Sequence, residues 1–385
     1  MIRSLQKTCL SLVLLFASAG CTDFVEPNQL AFVIGTGIDH AGENMLELSH
    51  QIAVPSQLSS TKGGSNGKSE SFIVISAKGK NVFEANEKLQ RKMSRRLITS
   101  HRTLIAISDQ YIENNNTKKL FDKLNRDPAN NQRDIIVVVK GSAKEFMKIK
   151  HPLEQLSSIA TNKELRINGM NNYSIRQFFI EMAQEGTRIL VPLLQIDNHD
   201  QPGTEKAHFI QFAGFAVLDN ELKLKGILND PEGSRAIWMI GKGTFHGLTI
   251  PWKEGNGTLS FRLTHLEREI HSVDGNDPKH ILLTVKAQAY LLDNTTTLDM
   301  SEVDNMIALK KYLDERVEKD MQATLNKVQG WGQDIFGIGE YLHRKHPYWW
   351  KTQKNNWDDN FKNINVSVKA NILLRSTGTS AGQVK

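Results

Sequence analysis

The chain has 385 residues, with 48 Lys and Arg against 42 Asp and Glu and a formal net charge of +6. Hydrophobic residues make up 39% and charged residues 23%, proportions of a water-soluble globular protein that exclude a disordered chain and a polytopic membrane protein. The charge excess is small and acidic residues interleave with basic ones, which argues against nucleic acid as a partner, because that binding needs a concentrated basic stripe.

The first feature in chain order is an export signal. Arg3 and Lys7 precede the uncharged stretch Leu10 to Ala19, too short to span a bilayer at ~20 residues, and Ser18-Ala19-Gly20-Cys21 then sets small residues before a thiol. That order makes Cys21 the expected acceptor of a diacylglyceryl group, with the mature chain starting there and tethered to the outer leaflet of a membrane. An ordinary cleaved signal that leaves Cys21 as a spare thiol is the plainer alternative. Loss of Arg3 and Lys7 with the signal lowers the charge to +4, and loss of Cys9 leaves no pair for a disulfide and no thiolate cluster for zinc. No later run approaches the ~18 apolar residues of a membrane helix, so the lipid is the only covalent anchor expected.

Beyond the signal, strands and helices alternate. Gln29 to Ile38 and Met45 to Val54 read as strands around the turn Asp39-His40-Ala41-Gly42, and Pro55 to Ser69 reads as a Ser/Gly-rich loop. After a strand at Ser71 to Ala77, the positions Val82, Ala85, Leu89, Met93 and Leu97 recur at helical spacing. Arg102 to Ile107 predicts a strand, Gln110 to Leu124 a helix, and Asp134 to Lys140 a fully buried strand. Ser142 caps a short helix through Ile149, and another helix spans Ser174 to Gln184. Ile189 to Gln195 leads into a strand, and Asn198-His199-Asp200-Gln201-Pro202-Gly203 is the best domain boundary. Phe209 to Leu218 and Leu222 to Leu228 form a hairpin, and Pro231 opens a helix through Ile240. Leu259, Phe261 and Leu263 alternate with polar residues, as do Ile281 to Leu291 and Ile364 to Leu374; between them a long helix runs from Ser301 to about Val328. Strands followed by a long packing helix predict an α+β architecture of mostly antiparallel sheets, each packed by helices.

Reactive constellations are hard to find. Gly35-Thr36-Gly37 and Gly337-Ile338-Gly339 do not complete a dinucleotide fingerprint and read as turn or bulge glycines. His343 and His346 could share a metal, but Arg344 and Lys345 flank them and no third ligand lies close in sequence, so no metal or cofactor is expected. Gly-x-Ser-x-Gly elbows are absent, and Asp358-Asp359 reads as a solvated turn, so no catalytic residue is assigned. The strongest charge concentration is RKMSRRLITSHR at 91–102, where Arg91, Arg95, Arg96 and Arg102 could meet anionic headgroups or an acidic partner. The bland reading is the solvated face of an amphipathic helix. Tyr348, Trp349, Trp350, Trp357 and Phe361 could dock a membrane or another protein, although aromatics between a helix and a strand more often close a core.

In order, these landmarks resemble the Ger(x)C family, the lipoprotein C subunits of bacterial spore germinant receptors. The resemblance runs from Cys21 to about Arg375. It rests on Asp23, Leu30 to Asp39 (LAFVIGTGID), Gly79, Phe83-Glu84-Ala85, the stretch from Arg95 to His101, and Gly214-Phe215-Ala216-Val217. It continues with Gly226, Glu232, Arg235, Trp238, Asp334 to Gly339 (DIFGIG), Pro347, Trp350, Trp357 and Phe361. Thr22 stands where the family usually has Trp, and Ser18 where the lipobox prefers Leu.

The resemblance implies a non-enzymatic subunit on the outer face of the spore's inner membrane, required for nutrient-triggered germination and assembled with an A subunit and an integral membrane B subunit. It also implies a three-part body, giving a signal peptide at 1–20, an N-terminal domain at 21–200, a middle domain at 201–275, a C-terminal domain at 276–376 and a flexible tail at 377–385. The main rival is a solute-binding lipoprotein that captures a small nutrient itself; an exported cell-wall hydrolase ranks last for want of an activated nucleophile or metal set.

Overall fold

The computed structural model describes residues 25–55, 71–127, 130–151, 153–170, 173–199, 207–243, 245–273 and 278–376. Cys21, the expected signal peptide at 1–20 and the expected tail at 377–385 lie outside the described residues. The first half contains β1 (Leu30–His40), β2 (Leu46–Ala53), β3 (Phe72–Gly79), α1 (Val82–Gln90), β4 (Arg96–Ile98), β5 (Leu104–Ser108), α2 (Asp109–Asn114), α3 (Thr117–Arg126), β6 (Ile135–Val139), α4 (Ala143–Lys148), α5 (Ser157–Ile167), α6 (Ile175–Ala183) and β7 (Ile189–His199). The second contains β8 (Ala207–Leu218), β9 (Leu224–Leu228), α7 (Asp230–Met239), β10 (Phe245–Pro251), β11 (Thr258–Ser272), β12 (His280–Asn294), α8 (Val303–Gly330), α9 (Ile338–Lys345), α10 (Pro347–Gln353), α11 (Trp357–Phe361) and β13 (Asn365–Ser376).

These strands form two sheets. The nine-stranded sheet has the order β3-β2-β1-β5-β6-β7-β8-β9, with β4 paired to the start of β1; the four-stranded sheet has the order β10-β11-β12-β13. Parallel pairing is concentrated in the middle of the first sheet, β1-β5-β6-β7, and antiparallel pairing toward its edges. The α+β expectation holds, and the parallel centre explains the unbroken apolar runs of β5 and β6, which are buried on both faces. Ile105, Ile107, Ile136 and Val138 point to one side, against Leu89, Leu120, Phe121 and Phe178; Leu104, Ala106, Val137 and Val139 point to the other, against Phe146, Met147 and Leu165. Each of these buried side chains larger than Ala106 contributes about 1.5–3 kcal/mol.

Both expected inner domain boundaries are crossed by hydrogen bonding. The segment after residue 199 joins β7 to β8, which pair antiparallel from Ile189↔Leu218 to His199↔Ala207, so the sheet of the first half is finished by strands of the second. The break expected between Val273 and Lys279 is the hairpin of β11 and β12, neighbours in one sheet. One apolar cluster runs from the β6 face through Phe215 and Trp238 into Phe261, Leu283 and Leu313.

The long helix and last strand form as their periodicity predicts. Leu309, Leu313, Val317, Met321, Leu325 and Val328 line the buried face of α8, which links β12 to the parallel β13. Polar groups one turn apart on α8 then reach the backbone of β13. Asp314, Glu318 and Gln322 accept hydrogen bonds from the N–H groups of Ile372, Ala370 and Val368 at 2.9, 3.0 and 2.9 Å.

Local departures have identifiable causes. The helix expected from Gln110 to Leu124 is two helices, because the Asn116 side chain accepts from Lys119 N–H and starts α3 afresh. Helix α5 and strand β10 carry no pattern that sequence reading detected. Gly35 and Gly37 lie inside β1, with a register shift between Val33 and Gly35. A Cβ at Gly35 would sit 2.8 Å from Met147 Sδ, and one at Gly37 would sit 3.0 Å from the Ala143 carbonyl oxygen, so these glycines admit helix α4 against the strand.

Candidate functional site: the basic loop at the chain entry

The basic stretch at 91–102 begins where α1 ends. Its apolar residues hold it down: Met93 and Leu97 pack on Ala31, Val33 and Ile52, a small cluster of their own. Gln90 fixes the turn from both sides, donating from Nε2 to the Arg95 carbonyl at 3.0 Å and accepting the Leu97 N–H at 2.9 Å. Lys92 Nζ donates to the Ser76 carbonyl at 2.8 Å. Strand β4 then runs parallel to the start of β1, in the register Leu30↔Arg96, Ala31↔Leu97 and Phe32↔Ile98. Arg91, Arg95 and Arg96 are exposed, and among the described residues none of them forms an ion pair. Strand pairing therefore sets Arg96 beside the first residues of β1, with exposed Arg91 and Arg95 just before it in the same stretch.

Arg102 is not part of that surface. It is 4% exposed, and its Nε donates to Asp134 Oδ2 at 2.6 Å while NH2 donates to Asn130 Oδ1 at 2.9 Å. An arginine held this way cannot reach a headgroup; it pins the end of the basic loop to the sheet. Burial pushes the Asp134 carboxyl up to about 6, although the Arg102 charge and hydrogen bond pull it down. From Arg102, a polar chain continues through the core. NH1 reaches Thr36 Oγ1 at 3.4 Å, Thr36 Oγ1 contacts His50 Nδ1 at 3.1 Å, and His50 Nε2 contacts Asn86 Oδ1 at 3.0 Å. Burial pushes His50 down to about 4; the Asn86 bond opposes this and the Arg102 charge adds to it, so the ring stays neutral at pH 7. With Asn86 Oδ1 accepting, the ring proton sits on Nε2, and Nδ1 accepts from the Thr36 hydroxyl. Sequence reading missed this network because its members are scattered over 100 positions.

The aromatic cluster and the DIFGIG stretch are structural. Trp350, Trp357 and Phe361 are buried, while Tyr348 is 84% exposed. Asp334 accepts from the N–H groups of Phe336, Ile338 and Gly339 at 3.1, 3.1 and 2.6 Å and from Trp357 Nε1 at 3.2 Å. Burial raises its carboxyl to about 6, against the hydrogen bonds from Gly339, Ile338 and Trp357 and the charge of Arg188. The same knot ties in the first half. Trp350 Nε1 donates to Glu185 Oε2 at 2.8 Å, Arg188 N–H to the Asp334 carbonyl at 2.8 Å, and Arg188 pairs with Asp358. Gly186 lies against Gly339 and Trp350 so closely that a Cβ there would sit 2.5 Å from the indole. Asp358 is thus engaged, whereas Asp359 pairs only with Lys362 at the surface.

His343 faces Glu185 at 3.8 Å and stacks on Trp350, and His346 Nε2 lies 3.2 Å from Ser272 Oγ, so the two histidines serve different neighbours. Among the described residues no group of three or more His, Cys, Asp or Glu is arranged to hold a metal. An apolar groove of about 390 Å³ lies at the β1–β2 turn, the end of β1 away from the basic loop, with Leu46, Val82, Tyr111 and Leu120 in its lining and Lys80, Lys119 and Lys123 beside them.

Two family models cover the chain in sequence. One described as "Spore germination protein N-terminal domain" matches residues 23–196, and one described as "Spore germination B3/ GerAC like, C-terminal" matches residues 213–378. The chain is 25% identical to spore germination protein KC of Bacillus subtilis (strain 168) over 399 residues, covering 98% of each chain. It is 20% identical to spore germination protein B3 of the same organism, covering 98% of this chain and 99% of that one. A solved structure described as "Crystal Structure of the GerBC protein" superposes with a TM-score of 0.54 at 16% identity, covering 91% of this chain and 99% of that chain, which bears on the fold alone.

Proposed function

Because the chain belongs to the Ger(x)C family of spore germination proteins, we propose that it is the lipid-anchored C subunit of a nutrient germinant receptor, acting through protein contacts rather than chemistry of its own. The observation that carries this reading is the pair of family models, which tile the chain in order from residue 23 to residue 378. The reading makes Cys21 the acylated residue, two positions before the first match begins. It places the protein on the outer face of the spore's inner membrane, beside the A and B subunits. No described helix is long and apolar enough to cross a membrane. The two acyl chains of one diacylglyceryl group on the sulfur hold a protein to a bilayer for practical purposes, at about 0.8 kcal/mol per buried methylene.

The test is Cys21→Ala in a strain whose other receptors have been deleted. Spores of that strain are expected to lose the nutrient response, and the variant protein to lose the mass of the acyl group. Normal nutrient-triggered germination by the variant overturns the reading. A second reading, capture of a small nutrient, draws on the groove beside Lys80, Lys119 and Lys123, whose apolar floor and three ammonium groups suit an amphipathic carboxylate. Calorimetry with amino acids separates the two, because micromolar heats favour capture and their absence favours the coupling role.

A further inference from the structure

The basic loop and the point of chain entry coincide. Strand β4 lies one strand spacing, about 4.8 Å, from the first residues of β1. Cys21 is four peptide steps before Val25, the first described residue, and covalent geometry limits that reach to about 15 Å. Leu30, the start of β1, is nine steps from Cys21, so any acyl group on Cys21 keeps the β1 entry and Arg96 beside it within about 30 Å of a bilayer and free to touch it. The screening length at 0.1 M salt is about 10 Å, so these arginines feel an anionic leaflet when the edge comes within that distance of it. The stretch 91–102 contains no carboxylate, and its exposed arginines carry no internal counter-ion among the described residues.

We propose that Arg91, Arg95 and Arg96 form a docking edge for anionic lipid headgroups, and that this edge fixes which way the body stands on its membrane. The inference rests on the anchored reading only in that a membrane must be near. Gln90, Met93 and Leu97 hold the edge in shape before it meets lipid, so little ordering cost falls on binding. Arg102 and Asp134 secure its far end in the same way.

The test separates the edge from the anchor. A chain starting at residue 21 and carrying Cys21→Ala is mixed with vesicles of pure phosphatidylcholine or of phosphatidylcholine with phosphatidylglycerol, and binding is read by flotation. The expected result is binding to the anionic vesicles that weakens as salt rises. The triple variant R91A/R95A/R96A is expected to bind about 10²-fold more weakly, at about 5-fold per arginine. A control removing equal charge from the exposed lysines Lys225, Lys319 and Lys369 is expected to change binding less than about 3-fold. Equal binding to neutral and anionic vesicles, or equal losses in the two triple variants, overturns the proposal. Mass spectrometry of the wild-type protein from cell membranes reports on the anchor alone. An unacylated Cys21 there defeats the anchored reading and leaves the vesicle result standing.

Discussion

Replacing Arg102 by Met tests whether the buried pair holds the basic loop. Asp134 is fully buried and Arg102 is 4% exposed, with the guanidinium Nε 2.6 Å from the carboxylate. Removing one partner leaves an uncompensated charge in the core, which costs about 3–5 kcal/mol. Asn130 and Thr36 lose donors in the same step. The carboxyl already sits near 6, and without Arg102 it rises further, so the variant escapes part of the penalty by taking up a proton. A folded-state value above the unfolded one makes stability fall as pH rises through the interval between them. The loss in Arg102→Met should therefore be larger at pH 8 than at pH 5. The assay is urea denaturation followed by tryptophan fluorescence, on Arg102→Met, Asp134→Leu and the double variant. The double variant should recover to within about 1 kcal/mol of the parent, because an apolar pair replaces a buried ion pair at little net cost. A single-variant loss below 1 kcal/mol with no pH dependence, or strictly additive losses, would refute the account.

Two further outcomes follow from buried groups. His50 titrates near 6.5 unfolded and about 4 folded, so the stability it contributes is complete above pH 6.5 and is lost as pH falls toward 4, by about 3 kcal/mol in all. His50→Gln should remove that part of the acid sensitivity, and an NMR titration showing the His50 ring protonating above pH 6 would contradict it. Asp334→Asn replaces one acceptor oxygen by an NH2 group, which cannot accept from the N–H donors facing it; a loss of about 2–4 kcal/mol and a changed Trp357 environment are expected in thermal unfolding.

Much of the second half was legible because its elements carry clean periods. The alternating residues of β11, β12 and β13 and the four-residue steps along α8 follow directly from one-sided burial. Helix α5 escaped notice because the face it buries mixes Ser157, Ser158 and Thr161 with only Ala160 and Leu165 as apolar groups. Ser157 and Ser158 are fully buried, and they are satisfied by Gln51, whose Nε2 donates to Ser157 Oγ at 2.9 Å and whose Oε1 accepts from Ser158 Oγ at 2.5 Å. A hydrophobic pattern cannot reveal a helix held by side chains from a strand 106 positions earlier. Arg102 misleads for a related reason: a charge in a basic run reads as surface until its distant carboxylate is known. The other three arginines were readable from composition, but the place of Arg96 beside the chain entry is a fact of strand pairing. The polar boundary near residue 200 was legible as a break in composition, and the family models divide in the same region. Hydrogen bonding of β7 to β8 crosses it because the N-terminal sheet lacks its last strands without the second half.

The side-chain ladder from α8 onto β13 has a consequence for assembly. An edge strand normally offers its free amides to any passing extended segment, the route by which sheets polymerise or recruit a guest strand. Asp314, Glu318 and Gln322 already occupy three of those amides on β13. A chain that joined this face by strand addition would first have to displace a whole helix, so any contact made at this edge runs through side-chain shape and charge.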